Sequence, residues 1–497
     1  MSLTTAIAER RRAGLSLAVL VAGMFAAGGA ARGASREARP TPGPSPQSIG
    51  GLVERAPSPR PFDYSRLSTE ATELLSREIR IDTTNPPGDE LAAAKLIKEK
   101  FLADGIPATV WEPAPGRGIV AARLHGTGHH SAAVVLLSHL DVVPANPKEW
   151  AAPPFAGAVR DGAVWGRGAI DDKGPGVIEL MAMLAIKRSG RLLDRDVIFL
   201  ATGDEETGGR YGAAWLVEHE PDVFADAAYL INQGGSIMTR PNGRRYYGVA
   251  VTEKTPLWIR LTAAGVEGEG ATPPAETTVT HLVAALQRVT GYRAQIRIID
   301  PVRDYYKALA ELDGGPPALR DLGRALRDDP KFALQFVATP RNNALVRDTF
   351  TPTVLHASST INLIPGRAGA EIDGRLLPGD DAAAVVENLR KAIADNSIRC
   401  DVLLNFPAAT SPRNTRLMTA IEKVAARDHA VVVPMMLADF TDSNYFRQKG
   451  LIAYGFTPIG LTSAEEKSVH GVNERMPVKE LNNGIRRMVE LLEAVAH

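Results

Sequence analysis

The sequence predicts an α/β protein built on a mainly parallel sheet, and three observations carry that expectation. Short apolar strand-like runs alternate with helical stretches between Leu67 and Ile231. Several of these segments end on residues able to bind a cation or move a proton: Ser138-His139-Leu140-Asp141, Asp171, Asp204-Glu205-Glu206 and Asn232-Gln233. After Val251 the order becomes strand, helix, strand, strand, helix, strand, which describes a smaller α+β sheet with helices on one face. Ligands of parallel sheets sit beyond the carboxyl ends of the strands, so the polar strand ends point to one cleft.

The 497 residues suffice for two or three domains and a large core. Lys+Arg and Asp+Glu are equal at 57 each, which removes any net-charge argument for nucleic acid or an anionic membrane as partner. The single cysteine, Cys400, excludes an intrachain disulfide framework and a Cys-based zinc site. A metal must therefore be held by His and carboxylates.

Arg10-Arg11-Arg12 precede an apolar, small-residue run from Ala13 to Ala30, the pattern of a secretory signal, with cleavage expected near Ala30 or Ala31. The alternative is an uncleaved N-terminal anchor. The expected organisation is a signal peptide at 1–31 and a Pro-rich linker at 32–61. A catalytic domain follows at 62–251 and resumes at 409–497, with a lid domain at 252–408 between its parts. The protein is expected to be exported, periplasmic or extracellular, with no membrane contact beyond the signal segment.

Helical spacing predicts helices over Leu67–Arg80 and Glu90–Ala103, separated by the turn cluster Asp82-Thr-Thr-Asn-Pro-Pro-Gly. Ile119–Leu124 and Ala132–Leu137 read as strands and Gly157–Trp165 as a hairpin. The Gly-rich turn from Gly166 to Gly174 opens an apolar helix over Val177–Arg188. Val197–Ala201 and Ala227–Ile231 are further strands, with a helix around Trp215–Glu218 between them. In the small sheet, strands are expected at Leu257–Ala263, Val354–Leu363, Ala368–Leu376 and Asp401–Phe406, and helices at Thr277–Val289 and Ala382–Ala394. A charged, largely helical insertion spans about 291–349. A helix to Arg427, strands near Val431 and at Gly450–Phe456, and a helix after Val478 complete the chain.

Carboxylate oxygens and imidazole nitrogens converging on one point suit zinc and similar cations. His139 and Asp141, two apart on a strand, point to the same side, so Asp141 can hold the second ring nitrogen of His139. Glu205 and Glu206 are adjacent and point differently, so one can ligate while the other handles protons.

The chain resembles the M20 family of metallopeptidases and amidohydrolases, which includes carboxypeptidase G2, aminoacylase-1 and carboxypeptidase S. The resemblance rests on Ser138-His139-Leu140-Asp141, Trp165-Gly-Arg-Gly-Ala-Ile-Asp171-Asp172-Lys173-Gly174, Asp204-Glu205-Glu206, Asn362-Leu-Ile-Pro-Gly366, Thr441-Asp442-Ser443 and Val469-His470-Gly471-Val-Asn473-Glu474, which run in family order. It implies a zinc-exopeptidase-like catalytic domain with a ferredoxin-like lid and dimerisation domain. It also implies a cis peptide at Asp171-Asp172, and one or two Zn2+ ions per chain, with Co2+ or Mn2+ as substitutes. By resemblance His139 binds one metal, Asp171 bridges, and Glu206 with His470 completes the second position. Glu205 is the expected general base and Asp141 its catalytic companion. Arg375 is the candidate for gripping a substrate carboxylate, a role suited to a planar guanidinium, with Asn362 and Glu269 beside the substrate. The expected partner is a small peptide or N-acyl-amino acid, and a second copy of the chain through the lid, unless the insertion covers that edge and leaves a monomer.

Three residues depart from the family pattern. Gln233 stands where a Glu or Asp usually completes the His139 site, and a neutral amide is the weaker ligand. Glu269 replaces the lid His, whose polarising role His281 or His356 would have to fill. Asn444 replaces an Arg after Thr441-Asp442-Ser443. Besides a zinc amidohydrolase, these changes suggest a non-hydrolytic binding protein, or a dipeptidase whose Glu269 selects a cationic group.

Overall fold

The structure is a computed structural model, and it describes residues 59–128 and 132–496. The signal segment and nearly all of the linker lie outside the described residues. No described helix is long and apolar enough to cross a membrane.

A nine-stranded sheet forms the centre. Its middle is parallel: Ala133–His139 pairs with Val197–Thr202 on one side and Ala227–Asn232 on the other, and Ile452–Gly455 extends it beyond the latter. Ile119–Leu124 and Ala108–Trp111 add an antiparallel edge, and Arg245–Glu253 with Ala430–Leu437 forms the opposite one. The continuous apolar runs predicted as strands are buried on both faces, as a covered parallel sheet requires. Val134, Leu136 and Phe199 join one core with the helices Tyr64–Ile79, Lys173–Ser189 and Val478–Val495, while Val135, Leu137 and Ile198 join another with Leu216 and Phe446. The helix Lys173–Ser189 is buried along nearly its whole length and stops at Gly190, whose φ of 72° suits glycine.

The small sheet has the strand order Thr349–His356, Arg367–Leu376, Thr255–Ala264, Ile398–Asn405, antiparallel throughout. Leu257, Ile259, Ile372 and Leu376 face the helices Thr278–Gly291 and Ala382–Ile393. Trp258, Glu371, Asp373 and Arg375 alternate with them along the strands and therefore occupy the face without helices. The insertion forms four α-helices between Asp300 and Val346. Its core, with Tyr305, Tyr306 and Phe336, packs on Tyr246, Val433 and Met435 of the large sheet, and contains no residue of the small sheet's two outer strands.

One expected strand needs correction, and two further strands were not foreseen. The strand predicted over Val354–Leu363 begins at Thr349 and ends at His356, because the Ser358 hydroxyl closes a turn with the backbone of Thr360. Only Leu363–Ile364 pairs again, as a two-residue ribbon with Gly268–Glu269. The strands Arg245–Glu253 and Ala108–Trp111 carried no recognised signal.

Phe199 is fully buried and its ring lies 5.1 Å from that of Phe101. Phe199→Ala is expected to destabilise the fold by about 3–5 kcal/mol, read as a lower denaturant midpoint.

Candidate active site

His139 closes its strand with a buried ring. Its Nδ1–H donates to the backbone oxygen of Asp141 at 3.0 Å, since a carbonyl can only accept. Neutral His139 therefore presents the Nε2 lone pair to Asp171 Oδ1, 3.0 Å away. Two acceptors facing one another need a proton or a cation between them. Burial opposes protonation of His139, but Glu205, Asp141 and Asp171 outweigh it and raise its pKa well above the ordinary value.

Asp141 does more than orient that ring. Its buried carboxylate accepts the backbone N–H of Glu205 at Oδ1 and of Glu206 at Oδ2, both at 3.1 Å, and the Asn85 amide at 2.8 Å. The turn is further pinned through Asp204, whose carboxylate accepts from Arg117 at 2.8 Å, Asn85 at 3.1 Å and the Tyr211 amide at 2.9 Å. Gly212 lets this turn close: a Cβ there would lie 1.7 Å from the Gly203 carbonyl oxygen.

Asp171 follows the Gly-rich turn, and its peptide with Asp172 is cis, as the resemblance implied. Its carboxylate lies between two imidazoles, with His139 on Oδ1 and His470 Nε2 3.2 Å from Oδ2. Burial works against its ionisation, yet the two histidines hold its pKa below the usual range. Glu206 Oε1 is buried without a hydrogen bond and faces His470 Nε2 at 3.3 Å. The carboxylates of Asp171 and Glu206 raise His470 to about 10. Ligand atoms of His139, Asp171 and Glu206 all lie within 4.8 Å of one another. This donor set, with a neutral imidazole turned toward carboxylates and an orphaned oxygen, fits a divalent cation.

Glu205 stands beside the cluster. Burial, then the charges of Glu206, Asp442 and Asp171, push its pKa well up, the condition suited to a proton-transfer group. Gln233 donates to Glu205 Oε1 at 3.2 Å.

A cavity of about 840 Å³ opens on these groups, between the strand ends of the large sheet and the open face of the small one. Trp258, Leu437 and Phe440 supply much of its apolar wall. Arg375 also lines it, but its guanidinium is engaged, with Nε on Asp373 at 2.6 Å and Nη1 on Asp439. Asn362 and Glu269 do not line this cavity; they are exposed on and beside the two-residue ribbon. His281 is tied to Asp395 at 2.7 Å, His356 is exposed at a strand end, and neither lines this cavity. Asn444 is fully buried, and neither side-chain amide atom makes a hydrogen bond.

The motif residue Glu474 received no role from sequence, and its geometry supplies one. The buried carboxylate accepts the amides of Gly168, Ile170 and Asp171 and pairs with Arg167 at 2.7 Å, which fixes the loop that carries Asp171. Asn85 and Arg117 were likewise missed; they sit in turn segments whose composition says only that a turn is present.

A parallel sheet presenting imidazoles and carboxylates at its strand ends, beneath an antiparallel lid, defines the class of a metallopeptidase-type hydrolase. Residues 135–494 match the model of Peptidase family M20/M25/M40, and the chain belongs to that family of hydrolytic enzymes. It is similar to human N-fatty-acyl-amino acid synthase/hydrolase PM20D1, with 28% identity over 371 residues, 72% of this chain and 73% of that protein. It is also similar to Aminoacylase-1 of Sus scrofa, with 24% identity over 432 residues, 85% of this chain and 94% of that protein. Among solved structures, the M20 family metallo-carboxypeptidase Sso-CP2 from Sulfolobus solfataricus shares the fold with a TM-score of 0.68 at 19% identity, over 86% of this chain and 99% of that one.

Glu474→Gln turns an amide toward three backbone donors and a guanidinium. It is expected to lower stability by about 1–3 kcal/mol and to reduce retained metal, measured by thermal unfolding and elemental analysis.

Proposed function

We propose that the protein is an exported zinc-dependent hydrolase that cleaves the amide bond of a small peptide or N-acyl-amino acid. The observation that carries this reading is Glu205, a buried carboxylate of raised pKa beside the His139–Asp171–Glu206–His470 cluster and facing the 840 Å³ cavity. The names of the similar proteins, which include a metallo-carboxypeptidase, an aminoacylase and an N-fatty-acyl-amino acid hydrolase, agree with that substrate class. The charge pattern of residues 10–30 supports export.

Asp171, Glu206 and His470 would hold one zinc, and His139, Asp171 and Gln233 a weaker second, which when bound polarise the scissile carbonyl and acidify water. Glu205 takes the proton of the attacking water and delivers it to the leaving amine. Gln233 keeps Glu205 Oε1 turned toward the cavity through its 3.2 Å hydrogen bond. Asp141 fixes both the His139 ring and the backbone from which Glu205 and Glu206 project. Arg375 receives the substrate carboxylate, and the exposed ribbon with Glu269 and Asn362 is left for contact with a second copy of the chain.

Glu205→Gln is expected to lower kcat on N-acyl-amino acids by about 10²–10⁴-fold while leaving fold and metal content unchanged. Wild-type turnover in that variant, with zinc supplied, would sink the reading. Chelation should abolish activity and zinc restore it. Gln233→Glu replaces a neutral amide with a carboxylate, and titration of the stripped protein should then show the second zinc binding more tightly than in the wild type.

A further inference from the structure

We propose that Asp439 is a stand-in for the substrate carboxylate: it occupies Arg375 until an incoming carboxylate displaces it, and so sets affinity for acid-bearing substrates. The inference deepens the reading of Arg375 as the carboxylate receptor and rests on it.

The guanidinium is held in place from the small sheet. Arg375 Nε donates to Asp373 Oδ1 at 2.6 Å, Trp258 Nε1 donates to that same oxygen at 2.8 Å, and the guanidinium lies 4.6 Å from the centre of the Phe440 ring. Its outer edge differs. Nη1 meets Asp439 Oδ1, while Nη2 makes no hydrogen bond among the described residues. Asp439 belongs to the other side of the cleft, just after the strand Ala430–Leu437. It is 64% exposed, and its further hydrogen bond is with the Phe440 amide, at 2.9 Å.

The Arg375 side chain is only 17% exposed, but its partner faces solvent and engages it through a single oxygen, a weaker arrangement than a bidentate one. A substrate carboxylate can span Nη1 and Nη2 with two oxygens, the stronger bidentate arrangement. Exchange therefore favours the substrate, less whatever Asp439 releases. A substrate whose carboxyl is amidated gains nothing at this edge and leaves Asp439 in place. One solvent-facing carboxylate thus tunes how strongly the enzyme prefers free acids.

The test measures binding of N-acetyl-L-phenylalanine and its carboxamide to the zinc-loaded Glu205→Gln protein by calorimetry, which removes turnover. Asp439→Asn retains the oxygen that accepts from Phe440 N–H but loses the charge. It should tighten binding of the acid about 3–5-fold and leave the carboxamide within about twofold. Arg375→Gln in the same background should weaken the acid selectively. If Arg375→Gln acts as expected while Asp439→Asn leaves acid binding unchanged or weaker, the stand-in role is overturned and the receptor role stands. If Arg375→Gln does not distinguish acid from carboxamide, or neither compound binds, both fall.

Discussion

The site depends on one fully buried carboxylate that does not line the cavity. Asp141 accepts the amides of Glu205 and Glu206, and its own carbonyl fixes the His139 ring. These contacts join the ends of two neighbouring parallel strands, Ala133–His139 and Val197–Thr202. A parallel pair cannot be joined by a short turn, so its carboxyl ends keep their relative position only through sheet pairing and side-chain bonds of this kind. A small shift of one strand end would separate the imidazole from the acids it faces.

The same region gathers more buried negative charge than a folded chain tolerates unaided. Asp141 is stabilised by amide donors, Asp204 by Arg117 and Glu474 by Arg167, so each supporting carboxylate has its own partners. Asp171 and Glu206 do not; they share two histidines, one of which already spends its Nδ1–H on a backbone carbonyl, and Glu205 accepts only from the neutral Gln233 amide among the described residues. The two histidines lower the pKa of Asp171, while burial and the neighbouring acids raise that of Glu205 and leave a shortage of positive charge around it. A divalent cation relieves it without a proton, which is why the inner residues read as ligands and the outer ones as scaffold.

This division explains what could be read in the sequence. His139, Asp171, Glu205 and Glu206 were legible because each terminates or follows an apolar segment, and strand ends of one parallel sheet must converge; His470 needed the family resemblance. Asn85, Arg117 and Glu474 were not legible, since their partners lie 56, 87 and 306 residues away along the chain. The strand Arg245–Glu253 escaped because only Lys254 separates it from the next strand, so no turn signal marks its end. Arg375 was found by its position, but its pairing with Asp439, 64 residues on, was not.

The two walls of the cavity come from different sheets, and the chain's first crossing between them is a single residue. Arg245–Glu253 ends the chain's first pass through the large sheet and Thr255 begins the small one, leaving only Lys254 between. Lys254 is fully buried, donating to the Arg347 carbonyl at 3.0 Å and the Thr349 hydroxyl at 3.2 Å, and burial lowers its pKa to about 7. Glu253 beside it is paired with buried Arg447 at 2.9 Å. A one-residue crossover with both flanks bonded has few dihedrals in which to bend, so this junction restrains the orientation of the small sheet's open face. On the proposed reading, the proton-transfer and metal-holding groups lie at the strand ends of one sheet and the carboxylate receptor on the exposed face of the other. Trp258, Asp373 and Arg375 lie on that face, whereas Asp439 reaches Arg375 from the opposite wall, so the proposed carboxylate receptor is held from both sides of the cavity.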